Sequence, residues 1–143
     1  MQTKKIQLAL RLIIGAVVLF GLIQLVPYGR NHTNPPVTAE PAWDSPQTRA
    51  LAARACFDCH SNETVWPWYS NVAPVSWLVQ RDVDEGRERI NFSEWGNARE
   101  SRDMARAVSS GSMPPWFYVI QHPSANLSAA EKTQLEAGLT ATK

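Results

Sequence analysis

From Leu12 to Val26 the sequence carries a single polar side chain, Gln24. No other feature restricts the fold as strongly, because so apolar a run cannot lie on a water-facing surface. As a helix it spans about 23 Å, short of the roughly 30 Å hydrocarbon core of a bilayer. Extended to Ile6–Tyr28 it spans about 35 Å, with Arg11 close enough to one end to reach the surface along its own stem. Lys4 and Lys5 precede the run, and positive charge stays on the cytoplasmic side. The expectation is one N-terminal transmembrane helix that leaves the rest of the chain outside. A cleaved signal peptide has the same layout. It would need small residues soon after Val26, where the chain reads Pro27-Tyr28-Gly29-Arg30. A buried helix of a soluble domain is the third reading. The first two export residues 31–143.

Past this segment the chain divides further. Residues 1–30 form the anchor. Residues 31–44 hold Pro35, Pro36 and Pro41 without apolar periodicity, and read as a tether. Residues 45–143 form one domain. Ser45-Pro46 is an N-cap followed by a first-turn proline, and the helix it starts runs into Cys56. A second helix is expected over Pro74–Glu88, with Val75, Leu78, Val79 and Val83 on its apolar face. A third covers Ala98–Ser110, with Ala98, Ala105 and Val108 inward and Gly111 just past its end. A fourth starts at Ser128, whose spacing to Glu131 is that of a capping box. Leu135 and Leu139 share its face, Gly138 weakens it, and Thr140 onward is expected to fray. No stretch alternates as a strand does, so the fold class is all-α. The formal net charge is +1, which points to no nucleic-acid partner.

Such a domain is short of core. Its helices are brief, its loops are rich in proline and glycine, and a chain of this size is marginal by itself. Residues 56–60 read CFDCH and contain both cysteines of the protein. C-x-x-C-H is the pattern of c-type haem attachment. Two thiols three residues apart on a turn reach two vinyl groups on one porphyrin edge. The next residue falls beneath the ring, where its imidazole can bind iron. Cys56 and Cys59 are thus the candidate attachment points and His60 the candidate iron ligand. A redox dithiol would want a βαβ context. Zinc would want a fourth ligand from His32 or His122. A plain disulfide in an exported protein is the bland alternative.

Four side chains compete for the other axial position of the iron. Met113 follows Gly111 and precedes Pro114-Pro115, a stiff loop suited to presenting a thioether. His122 precedes Pro123 and would ligate iron or bond a propionate. Met104 falls in a helical pattern and reads as core, and His32 reads as solvated. Methionine ligation suits electron transfer, whereas an open position suits peroxidase-like chemistry or ligand sensing. Trp66, Trp68, Tyr69, Trp77, Trp95 and Trp116 would wall a porphyrin or simply pack a core. Arg87 is a candidate partner for a propionate.

The segments CFDCHSNET, WPWYS, APVSW, EGRERINFSEW and GSMPPWFYVIQH, spread over roughly residues 45–140, resemble those of bacterial membrane-anchored haem-binding domain proteins, relatives of c-type cytochromes. The ending LEAGLTATK lacks the tryptophan such proteins often carry there. The resemblance implies a small cytochrome c-like helical domain wrapped around one covalent haem c. Cys56 and Cys59 would hold the haem, His60 would be the proximal iron ligand, and Met113 the leading sixth ligand. It implies a single-pass protein of the bacterial inner membrane with its haem domain in the periplasm. The expected partner is a redox protein of membrane or periplasm, and no side chain is assigned bond-making catalysis.

Overall fold

The computed structural model describes residues 2–96 and 98–142, and the side chains of all of these except 98–101. The described residues form seven α-helices and no strand: α1 Gln2–Ile23, α2 Pro46–Ala55, α3 Phe57–His60, α4 Val75–Arg89, α5 Ala98–Ser109, α6 Trp116–Gln121 and α7 Ala129–Ala141. The all-α expectation holds. Two compact units make up the chain. One takes the residues up to Thr33 with Trp66–Arg81; the other takes Asn34–Val65 and the residues from Asp82 onward.

In the first unit α1 has no buried residue. It is the one described helix long and apolar enough to cross a membrane. It stops at Ile23, short of the expected Tyr28. Pro27 is the reason, since it bars helical backbone at Val26 and has no N–H to give. Gln24, Leu25 and Val26 instead close in turns onto the Gly21, Leu22 and Ile23 carbonyls at 3.2, 3.0 and 3.3 Å. His32, expected to be solvated, is half-buried and stacks on Trp66 at 4.6 Å. The expected apolar face of α4 also divides. Val83, in the second unit, is 2% exposed, whereas Val75 and Leu78, in the first, are 40% and 57% exposed.

The second unit has a conventional core. Ser45 caps α2 by accepting from the Thr48 N–H at 3.2 Å. Ser128 and Glu131 form the expected capping box of α7. Leu135 and Leu139 are fully buried where α7 packs on α5 and α2. Gly138 has a use that its low helix propensity conceals. A Cβ there would stand 2.0 Å from the Thr48 hydroxyl, so glycine lets α7 close on α2. Fraying does not begin at Thr140. Thr142 is 3% exposed, and its hydroxyl and N–H both bond the Gly138 carbonyl. Ala105, Val108 and Met104 face inward, while the expectation for Ala98 lies outside the described side chains.

Residues 34–44, whose composition reads as a tether, are laid along this unit. The Thr38 and Ala39 N–H groups donate to the Ser93 carbonyl at 2.9 and 3.1 Å, and the Trp95 N–H donates to Ala39 O at 2.9 Å. Asn62 reaches the Pro36 carbonyl at 3.0 Å. Proline keeps such a segment extended and leaves its carbonyls free to accept. Trp43 then sets its ring, tilted, against Phe57 and Phe92, at 6.2 and 5.2 Å.

Candidate functional site

The cysteine motif is a single helical turn set directly on the end of α2. The Cys56 N–H still bonds Ala52 O at 2.8 Å, and the His60 N–H bonds Cys56 O at 2.9 Å. One turn puts residues three apart on the same side. Each intervening residue is an anchor. Phe57 enters the core, 4% exposed, stacked on Phe92 at 5.5 Å with the Arg49 guanidinium 5.3 Å from its ring. The Asp58 carboxylate accepts from the Val65 N–H at 3.0 Å and from the Tyr118 hydroxyl at 2.6 Å. The second of these bonds joins the motif to α6, sixty residues downstream.

Both thiols and His60 face a cavity of about 290 Å³. Met113, Pro115, Phe117 and Tyr118 close it from the segment around the start of α6, and Asp82, Glu85, Gly86 and Arg89 reach it from α4. Gly86 is what brings α4 in. A Cβ on it would lie 2.3 Å from the Cys59 carbonyl oxygen, so only glycine permits this approach. The same residue's carbonyl stands 3.0 Å from His60 Nδ1, and the Ile90 carbonyl 3.2 Å from it. Carbonyls only accept, so Nδ1 carries the proton and Nε2 keeps its lone pair. Burial pushes the His60 pKa below its usual value against the opposing effect of those carbonyls, which keeps the imidazole neutral.

Burial also pushes both cysteine pKa values up to about 12, with Asp82 and Asp58 adding to the shift at Cys59. These thiols are therefore unlike the low-pKa pair of a dithiol oxidoreductase. Among the described residues no group of three or more His, Cys, Asp or Glu side chains could hold a metal ion. Two thiols, an imidazole with a free Nε2 and a thioether around one partly apolar cavity fit an iron porphyrin, which draws its remaining iron ligands from its own ring.

Met113 is half-buried at the cavity, with its N–H fixed to Ala107 O at 3.1 Å. The Ser112 hydroxyl bonds the same carbonyl at 3.1 Å, which ties this loop to the end of α5. His122 does not line the cavity. Its ring stacks on Tyr118 at 4.1 Å, with Nδ1 3.1 Å from Tyr118 O. Met104 is core, 3% exposed. Arg87 does not line the cavity either. Its guanidinium bonds Ser61 O at 2.8 Å, Thr64 Oγ1 at 2.9 Å and Asn34 Oδ1 at 2.9 Å, and Arg89 is the arginine at the cavity. The rings that line it are Phe117 and Tyr118, while Trp95 stacks on Phe92 in the core. Asp58, Gly86, Phe117 and Tyr118 were not singled out by sequence reasoning. Gly86 alone left a signal, as a glycine inside a helical pattern.

Comparison with known proteins fits this site. A family model described as a haem-binding domain matches residues 18–141, a span that starts inside α1 and takes in the whole cavity. Nothing among curated proteins or solved structures matches the chain.

Proposed function

The chain belongs to the haem-binding domain family, and on that premise we propose that it is a membrane-anchored, single-haem c-type cytochrome-like protein that carries electrons on the periplasmic face of the bacterial inner membrane. The observation behind this reading is the convergence of Cys56, Cys59, His60 and Met113 on one cavity. Cys56 and Cys59 hold the ring edge. Their two S–H groups would supply the covalent links, by addition across the porphyrin's vinyl groups with no oxidant consumed. His60 would hold the iron through Nε2, aimed by the Gly86 and Ile90 carbonyls that fix its tautomer. Met113, at the same cavity, would hold the iron through its thioether sulfur. Bound there, the haem supplies a one-electron iron couple. The protein's own part is position, low dielectric and exclusion of small ligands. Helix α1 keeps the site near membrane redox partners and raises its effective concentration there.

The test uses the full chain, made in a host that matures c-type haem. Haem stain that survives a denaturing gel is expected, and its absence removes the covalent reading. Carbon monoxide should bind the reduced protein slowly or not at all. Rapid binding would favour an open sixth position, and with it ligand sensing or peroxidase-like chemistry. Met113→Ala should keep the stained band, lower the reduction potential and admit carbon monoxide. An unchanged potential would take the ligand role away from Met113.

A further inference from the structure

The unit containing α1 carries its own instruction about where the bilayer ends. The last helical residue is Ile23, the last apolar ones are Leu25 and Val26, and Arg30 is the first charge beyond them. If α1 spans, residues 24–30 stand at the hydrocarbon–water boundary. A second stretch of chain is fastened to that level. Gln24 Nε2 donates to Ala73 O at 2.9 Å, and Gln24 Oε1 accepts from the Ala73 N–H at 3.0 Å. This two-way pair lies between a side-chain amide at the end of α1 and a fully buried alanine forty-nine residues away. Gly29, also buried, runs against the Ser76 backbone. His32 Nε2 lies 3.0 Å from Ser70 O, and its ring stacks on Trp66.

The fastened stretch has the composition of an interface. Residues 66–80, WPWYSNVAPVSWLVQ, hold no charged side chain, in a chain that is 19% charged. Trp68 is 79% exposed, Leu78 57% and Val75 40%. Leu25 at 77% and Tyr28 at 48% add to the apolar surface from the α1 side. Indole and phenol rings concentrate at the headgroup level of membranes, where one part of the ring is dry and the polar tip is wet.

We propose that Trp66–Leu78 is an interfacial foot, seated in the headgroup region of the leaflet from which α1 emerges, with Trp68 and Leu78 in contact with phospholipid. This rests on α1 crossing the membrane, which is part of the function proposed above. Gln24 is the residue that sets the depth of the foot, by joining it to the helix end.

The experiment places p-benzoylphenylalanine at position 17, 68 or 78 of the full, haem-loaded chain in vesicles of phosphatidylethanolamine and phosphatidylglycerol. Irradiation is expected to attach lipid at all three positions. Lipid attached at 17 but not at 68 and 78 overturns the foot and leaves the membrane helix intact. No lipid at 17 overturns both. Gln24→Ala, which removes both bonds to Ala73, should reduce labelling at 68 several-fold with labelling at 17 unchanged. Equal labelling at 68 in that variant, with the haem stain retained, overturns the role given to Gln24.

Discussion

The two units spend their apolar residues in opposite ways. In the second, Leu135, Leu139 and Phe92 are wholly buried and surround a conventional core. In the first, α1 buries nothing, and Trp68 and Leu78 stand exposed to solvent. The residue types are similar, so hydrophobicity alone does not separate them. What differs is what surrounds them: packed protein in the one case, and in the other the lipid that the proposed membrane helix and foot would meet. The same contrast runs through a single helix, since Val83 of α4 is buried and Leu78 of α4 is not.

The harshest test of this contrast is Cys59→Ser. The second unit has a cavity at the cysteine turn that the haem would fill, so the variant should lose its stained band and most folded material. Recovery of a cooperatively folded, haem-free domain would show that unit to be self-sufficient. Next come two identical truncations. Leu135→Ala should destabilise the domain by about 2–5 kcal/mol, whereas Leu78→Ala should stay within about 0.5 kcal/mol, in denaturant titrations of detergent-solubilised protein. Equal costs would erase the distinction. Tyr118→Phe removes the hydroxyl that donates to Asp58. It should cost about 1.5 kcal/mol and speed carbon monoxide binding to the reduced protein, because the Met113 segment loses its tie to the motif. A stability loss with unchanged ligand kinetics would reduce that bond to a merely structural one.

The smallest effect concerns pH. The Arg54 guanidinium, with help from the Ser128 N–H, pulls the Glu131 pKa from 4.5 down to about 2. A carboxylate whose folded pKa is depressed stabilises the fold above its unfolded pKa. That contribution is lost as pH falls from 4.5 through about 2. Glu131→Gln should flatten the dependence of the unfolding midpoint over that window, and solvent around the half-exposed Arg54–Glu131 pair keeps the change small.

Much of this molecule can be read directly from local spacing. The Ser45 cap, the Ser128–Glu131 box and the C-x-x-C-H turn all act within four residues, and each appears where its spacing places it. The place of Met113 at the cavity was legible because a loop stiffened by two prolines announces itself. What sequence could not disclose depends on residues far apart in the chain. Asp58 and Tyr118 meet across sixty positions, and neither residue type signals the other. Residues 34–44 look like a linker because most of their bonds go to residues outside the segment, among them Ser93, Trp95 and Asn62. The exposure of Leu78 was hidden for the opposite reason: helical periodicity reports an apolar face without saying which medium that face meets.

Gly86 carries a consequence for how this protein can drift over evolutionary time. The obstacle a methyl group would meet there is main chain, which cannot rotate aside as a side chain can. Any replacement must therefore push α4 off the cysteine turn, and His60 would lose an acceptor in the same movement. Across homologous chains that keep the C-x-x-C-H turn, the column at this position should admit one letter of the alphabet, while exposed Glu88 beside it should accept several.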